Sequence, residues 1–199
     1  MNIGKVVKSN VHTDYVCQIY GRGEVEHPPE PDHYAFGTFV RIPLSDGCGD
    51  LVGVIYDTLL HNPDFGNLGP RLSPVSDLEI FSPDYLTEKV TLVGVAVVGM
   101  VGVDGMPVQG VPPLSARVDT LVEGMADHEV RAFHRREGGG VRLGYASLLL
   151  THRSALVRPL MLCIVERLTD LFPEEQARLA VLHHEWTWRT CIEPMGGGS

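Results

Sequence analysis

Residues 92–100 have the sequence LVGVAVVGM, a nearly continuous run of Val and Ala that contains Gly94 and Gly99. A run of this composition predicts a strand, and glycines inside a strand are typical of a small barrel, where the chain bends sharply or a second backbone approaches closely. Earlier segments rich in Val, Ile, Tyr or Thr also predict strands, at 3–8, 14–20, 38–42 and 51–60. We therefore expect the first half to form a small closed β-barrel, because closure removes exposed sheet edges.

The sequence pattern changes over residues 106–113, which contain three prolines and a glycine. Beyond this point apolar residues recur at spacings of three and four, which predicts amphipathic helices. We expect helices over 113–133, 156–172 and 173–193, the first one on the recurrence of Leu114, Val118, Leu121, Val122 and Met125. The expected fold class is α+β, with a β-barrel over 1–105, a helical bundle over 111–193, and an expression linker or disordered tail over 194–199.

Charge is distributed unevenly along the chain, whose 25 acidic and 16 basic residues give a net charge of −9. Residues 1–110 hold six basic residues against 14 acidic ones, which disfavours a general nucleic-acid binder. All ten basic residues beyond residue 110 are arginines. The planar guanidinium group suits carboxylate partners and interfaces, so the second half is expected to offer a docking surface.

The cellular location is inferred from three features of the sequence. No uninterrupted apolar stretch reaches the roughly 18 residues of a membrane-spanning helix. The N-terminus turns polar at Lys8 and Ser9, without a signal-peptide pattern. The four cysteines, Cys17, Cys48, Cys163 and Cys191, are scattered and form no CxxC pair, so neither a disulfide framework nor a zinc ribbon is indicated. We expect a cytoplasmic protein with no membrane contact.

Catalytic motifs are not evident in the sequence. Only three lysines occur, none of them in a GxxxxGK[ST] frame, and no GxSxG elbow is found. The residues with metal-ligand chemistry are His183, His184 and Cys191, but adjacent histidines project about 100° apart on a helix and no HExxH frame exists. We therefore expect no catalytic residues, no metal and no cofactor.

Candidate contact residues lie in two regions. The long turn-rich loop over 61–84 and the helical half, especially Trp188 and the segment over 131–136, are expected to contact a partner, because apolar, aromatic and arginine side chains dominate interface cores. Trp186 and Trp188 cannot both face one core from one helix, so one is expected to pack inside and the other to anchor an interface. The interface candidates are Phe65, Leu68, Arg71, Leu72, Arg131, Arg135, Arg136 and Trp188.

The segment around Arg131, Arg135 and Arg136 is the densest basic patch. Together with Arg142 it is expected to contact phosphates or carboxylates. The alternative is a solvated helix end whose positive charges complement the C-terminal dipole. The sequence leaves both interpretations open.

Three strand segments, IGKVVKS at 3–9, FGTFVRI at 36–42 and LVGVIY at 51–56, resemble the HAS-barrel, the small domain shared by HerA-type translocases and ATP synthase subunits. The resemblance covers about residues 1–105 and contains no catalytic motif. In that family the barrel precedes a hexameric RecA-like ATPase core, supports ring assembly and offers a docking surface for a partner. Here helices take the place of that core, and no functional residue of the family can be matched by position.

Our functional hypothesis is a non-catalytic assembly or adaptor protein that self-associates or docks on a hexameric HerA-type ATPase, in the context of DNA processing. Its outer surface, rather than an internal pocket, is expected to make the contacts. One alternative is an enzyme with an acid/base pocket between barrel and helices. A further alternative is a barrel that binds single-stranded nucleic acid, which the acidity of the first half disfavours.

Overall fold

The computed structural model describes residues 1–61 and 90–192. The predicted contact residues Phe65, Leu68, Arg71 and Leu72 lie outside the described residues, as does most of the 61–84 loop. The predicted tail at 194–199 lies outside them too.

Seven strands form one antiparallel sheet. The five predicted strands are confirmed, and two short ones follow them in the chain. The strands are β1 (Asn2–Val11), β2 (Asp14–Ile19), β3 (Phe39–Pro43), β4 (Asp50–His61), β5 (Val90–Val101), β6 (Pro107–Gln109) and β7 (Leu121–Gly124).

Six of these strands close into a barrel. Their order is β2-β1-β7-β3-β4-β5, and β2 pairs with β5 to complete the ring, with Tyr15 opposite Val95. β6 extends the sheet by pairing with the end of β5. Because β7 lies between β1 and β3, the barrel needs residues beyond the boundary expected at 105. The protein is thus an α+β fold whose barrel is finished by a strand from the second half.

The barrel interior is packed with apolar side chains, nearly all of them aliphatic. The inward-facing residues are Ile3, Val6, Tyr15, Cys17, Ile19, Val40, Ile42, Leu51, Ile55, Val93, Val95, Val97 and Val122. Each is at most 5% exposed, so they form a core rather than a ligand chamber.

Gly99 shows why glycine interrupts strand β5. A Cβ placed on Gly99 would lie 2.3 Å from the carbonyl oxygen of Val108 on β6, closer than any real side chain comes. The expected close backbone approach is therefore confirmed at this position. It allows β6 to lie against the end of β5 and to carry Gln109 towards the helices.

Four α-helices follow: α1 (Asp127–His134), α2 (Ala146–Leu150), α3 (Val157–Leu171) and α4 (Gln176–Ile192). Short 3-10 turns occur at Pro31–Tyr34, Ser45–Gly47 and Pro173–Glu175. The helix predicted over 156–172 is confirmed, and the one predicted over 173–193 is confirmed as a 3-10 turn that continues into α4.

The helix predicted over 113–133 is wrong. Residues 110–120 form no helix, Leu121–Gly124 is strand β7, and only Asp127–His134 is helical. Leu114 and Val118 are 41% and 63% exposed, whereas Val122 is fully buried inside the barrel. The spacing of apolar residues imitated a helix, but closing the barrel between β1 and β3 requires an extended segment here, and tertiary pairing outweighs the local pattern.

The helices pack on the outside of one barrel wall. A second apolar core joins Phe39, Val52, Val54, Ala96 and Val98 of the outer wall to Phe133, Tyr145, Leu160, Ile164 and Leu168 of the helical half. Leu179 of α4 belongs to this core, and Leu182 and Trp186 pack against it, as their predicted stripe requires. The helices and the barrel wall thus share one continuous apolar core.

No helix in the described part of the chain is long and apolar enough to cross a membrane. The described thiols of Cys17, Cys48 and Cys163 are free. Within the same residues every buried side-chain nitrogen and oxygen atom has a hydrogen-bond partner.

Candidate functional site

A glycine hairpin follows α1 and lies beside a cavity at the surface of the helical half. The amide of Arg136 donates to the carbonyl of Gly140 at 2.9 Å, and the amide of Gly139 donates back to the carbonyl of Arg136 at 3.0 Å. Gly140 has φ +87°, and a Cβ there would lie 3.3 Å from the Glu175 carboxylate. Glycine is therefore required for the turn to lie against the start of α4.

The cavity next to this hairpin has a volume of about 670 Å³ and is lined by four arginines: Arg135, Arg136, Arg142 and Arg178. One carboxylate, that of Glu137, also lines it. The remaining lining residues are apolar: Met106, Pro107, Val141 and Leu143. The cavity thus combines an apolar surface with an excess of positive charge.

Most of this charge is not neutralised inside the protein. Arg178 approaches the carboxylate of Glu175 at 3.7 Å. Among residues 1–61 and 90–192, the guanidinium groups of Arg135, Arg136 and Arg142 form neither an ion pair nor a hydrogen bond with a side chain. In a chain of net charge −9, three uncompensated arginines around one cavity give a local potential that favours anions.

Gln109 holds the walls of the cavity together. Its amide nitrogen donates to the carbonyl oxygens of Phe133 (3.1 Å) and Arg142 (3.0 Å), and its amide oxygen accepts from the backbone N–H of Gly144 (2.6 Å). The Phe133 carbonyl is in the last turn of α1, where carbonyl groups lack helical partners. One buried side chain therefore joins β6, the end of α1 and the segment that carries Arg142.

His134 is fully buried beside this wall. Its Nδ1 lies 2.7 Å from the carbonyl oxygen of Val130, which only accepts, so Nδ1 carries the proton. Nε2 then accepts from the Tyr145 hydroxyl at 2.7 Å. Burial lowers the pKa of His134 to about 4 and raises the pKa of Tyr145 well above its ordinary value. The pair is a neutral structural link between α1 and the segment before α2.

A second polar group lies where the barrel meets the helical half. The Asp14 carboxylate accepts from the Tyr56 hydroxyl at 2.9 Å and from the Asn10 amide at 3.0 Å, and His152 Nε2 lies 3.7 Å away. Burial, together with the hydrogen bond to Asp14, raises the pKa of Tyr56. The His152 ring also lies edge-on to Tyr56, with centroids 4.6 Å apart. These acid and base groups hold one another in place across the junction.

Arg41 organises three carboxylates on the outer face of the barrel wall. Its Nε donates to Glu123 at 3.1 Å, its Nη1 donates to Glu129 at 3.1 Å, and Nε lies 3.8 Å from Asp50. Burial raises the pKa of Asp50, Arg41 lowers it, and the neighbouring Glu123 and Glu129 raise it. This network ties β3 and β4 to β7 and α1.

The predicted contact residues of the helical half have different environments. Arg135 and Arg136 line the cavity, as described above. Arg131 instead donates to the carbonyl of Leu171 and to Glu174, and its guanidinium lies 4.6 Å from the centre of the Phe172 ring. We therefore assign Arg131 a role in packing α1 against the end of α3.

One tryptophan of α4 packs inside and the other is exposed, as the sequence predicts. Trp186 packs against the outer core, whereas Trp188 is 61% exposed. Val181, two helical turns before Trp188, is 68% exposed. The outer face of α4 thus presents an aliphatic and an aromatic side chain to solvent.

His183 and His184 line a separate groove between α3 and α4. His183 Nε2 lies 3.1 Å from the Glu166 carboxylate. The side chain of Cys191, the third residue of the metal hypothesis, lies outside the described ones. Across the described ranges no three His, Cys, Asp or Glu side chains converge in a way that would hold a metal ion.

Sequence reasoning missed Arg178, which lines the cavity, and Gln109, which holds the segments around it together. Gln109 lies on a three-residue strand that has no pattern of its own. Arg178 reaches the cavity only because α4 folds back against the glycine hairpin. The one signal in the sequence was the use of arginine alone as the basic residue of the second half.

The chain was compared with known proteins. No curated protein matches it. One family model covers residues 1–195, nearly the whole length. The chain therefore belongs to the family described as a domain of unknown function, DUF8166.

Proposed function

We propose that this protein is a non-catalytic assembly or adaptor protein, that its barrel is of the HAS type, and that it docks on a hexameric HerA-type ATPase in DNA processing. The closed six-stranded barrel is consistent with the resemblance carried by residues 3–9, 36–42 and 51–56. The filled interior supports a scaffold role, because its apolar side chains occupy the space that a ligand would need.

The outer face of α4 is the observation that carries the proposal. Val181 and Trp188 are spaced by seven residues, so both project from the same side of the helix. That side faces away from the outer core, against which Leu182 and Trp186 pack. Tryptophan is among the residues most enriched at the energetic centres of protein interfaces. The exposed Trp188 and Val181, on the same side of the helix, are therefore well suited to bind a protein partner.

The polar junction between barrel and helices supports a structural role over an enzymatic one. A pocket enzyme would need Asp14, His152 or Tyr56 to face a substrate, yet these side chains contact one another. Two further buried groups with shifted pKa values, His134 and Tyr145, are hydrogen-bonded to each other. These ionisable groups stabilise the junction between the barrel and the helical half.

Replacing Trp188 tests the proposal. Trp188→Asp is expected to weaken docking on the ring ATPase by about tenfold or more, because interface tryptophans contribute strongly to affinity. Thermal unfolding should not change, since the side chain is largely exposed. The measurement is a titration of the purified chain against the purified HerA-type ATPase of the same organism, followed by light scattering.

Val118→Asp is the matched control, because Val118 is 63% exposed and lies outside the helices. This variant should bind as tightly as the wild type. Equal binding of Trp188→Asp and wild type would remove α4 as the docking surface. A wild-type chain that forms no complex with the ATPase, whatever its own oligomeric state, would contradict the docking function.

A further inference from the structure

We propose that the arginine-lined cavity binds a compact polyanion with two or more phosphate groups, of which inorganic pyrophosphate is the simplest example. The site is formed by Arg135, Arg136, Arg142 and Arg178. It goes beyond docking, because it lies beside the glycine hairpin and does not include Val181 or Trp188.

The positive charge around the cavity indicates that its ligand is an anion. Four arginines line one cavity and are exposed to solvent, and among the described lining arginines only Arg178 has a carboxylate within ion-pair distance. Like charges that line one cavity repel one another weakly in water, and a bound anion relieves this repulsion. Each guanidinium presents a planar fork of donors that fits phosphate or carboxylate oxygens in pairs.

The number of positive charges around the cavity favours a ligand with linked phosphate groups over an acidic peptide. Carboxylates on one face of an extended peptide lie about 7 Å apart, so a peptide crossing the cavity places only one or two of them near four arginines. Each phosphate group carries about 1.5 to 2 negative charges at pH 7. Two linked phosphates therefore supply a negative charge that nearly matches the four positive charges of the arginines. They do so within a volume well below the cavity's 670 Å³.

The other lining residues narrow the ligand class further. Glu137 is the single carboxylate of the lining, so the lining itself provides no set of oxygen ligands for Mg²⁺. The metal-free anion is thus the expected ligand, and Mg²⁺ should compete by neutralising it. No aromatic side chain belongs to the lining, which removes the usual platform for stacking a nucleotide base.

Isothermal titration of the full chain with pyrophosphate tests the site. We expect saturable binding that weakens as salt or Mg²⁺ is added, and an affinity for triphosphate at least equal to that for pyrophosphate. Arg142→Gln and Arg135→Gln should each weaken binding by about tenfold. Arg117→Gln is the matched control, since Arg117 is an exposed arginine away from the cavity and should not affect binding.

A peptide ligand and the variants of both proposals distinguish the phosphate site from its alternatives. An aspartate-rich peptide that binds more tightly than pyrophosphate would overturn the phosphate assignment. Pyrophosphate binding that is absent, or equal in wild type and Arg142→Gln, would overturn the site. Trp188→Asp should bind pyrophosphate as the wild type does, and Arg142→Gln should still dock on the ATPase, so failure of one proposal is distinguishable from failure of the other.

Discussion

Lowering the pH from 6.5 to 4 is expected to cost the protein about 3 kcal/mol of unfolding free energy through His134 alone. Burial lowers the pKa of this imidazole from 6.5 to about 4 in the folded state. In this range the unfolded chain binds a proton that the folded chain excludes, so stability falls as the pH falls. The contribution is fully present above pH 6.5 and is lost progressively towards pH 4.

Urea unfolding at pH 7 and at pH 4.5 measures this effect, and His134→Gln isolates it. The variant lacks the imidazole, so its stability should fall less between the two pH values, although it is less stable than the wild type at pH 7. His128→Gln on the same helix is the control, because His128 is exposed and its replacement should leave the pH dependence as in the wild type. If the wild type and His134→Gln lost equal unfolding free energy between the two pH values, a lowered pKa of His134 in the folded state would be contradicted.

Replacing Gln109 by Leu should cost about 3 kcal/mol, because it removes three hydrogen bonds at once. The carbonyls of Phe133 and Arg142 and the amide of Gly144 would lose their partner at a side chain that is only 9% exposed. Pyrophosphate binding should weaken too, since Gln109 positions the segment that carries Arg142. Denaturant titration measures the first effect and calorimetry measures the second.

Val108→Thr is the comparison for Gln109→Leu, because Val108 is the preceding residue of β6 and is 56% exposed. Its stability should lie within about 0.5 kcal/mol of the wild type. If Gln109→Leu destabilised the protein no more than Val108→Thr does, β6 would not be the element that holds the end of α1.

The strands of the first half were predictable because each carries its own local signal. Residues 92–100 and 51–60 are dense in β-branched residues, and the close approach expected at Gly99 exists. The stripe of α4 was also predictable, since Leu179, Leu182 and Trp186 share the spacing of one helix face. In these segments the local preference and the tertiary packing agree.

The error at 113–133 has the opposite cause. Leu121, Val122 and Met125 are spaced as in a helix, but the barrel has a gap between β1 and β3 that only an extended segment fills. Pairing across such a gap depends on residues more than 80 positions away from β3 and more than 100 away from β1, so no local pattern announces it. The boundary expected at 105 left β7 out of the barrel for the same reason, since β7 follows the proline-rich segment and pairs with β1 and β3.

The candidate site was only partly visible in the sequence. Arg135, Arg136 and Arg142 stood out as a basic patch, but their convergence on a cavity with Arg178 depends on how α4 packs against the glycine hairpin. The exposure of Trp188 followed from helix geometry, because two tryptophans at i and i+2 cannot face one core.

Native mass spectrometry of the wild-type chain mixed with the purified HerA-type ATPase tests the docking function most directly. The expected spectrum contains the ATPase hexamer with one or more added masses of 21.8 kDa. Trp188→Asp should strongly reduce the population with these additions, whereas Val118→Asp should leave it as in the wild type. A spectrum that shows only the free hexamer and the free chain would contradict the proposed function.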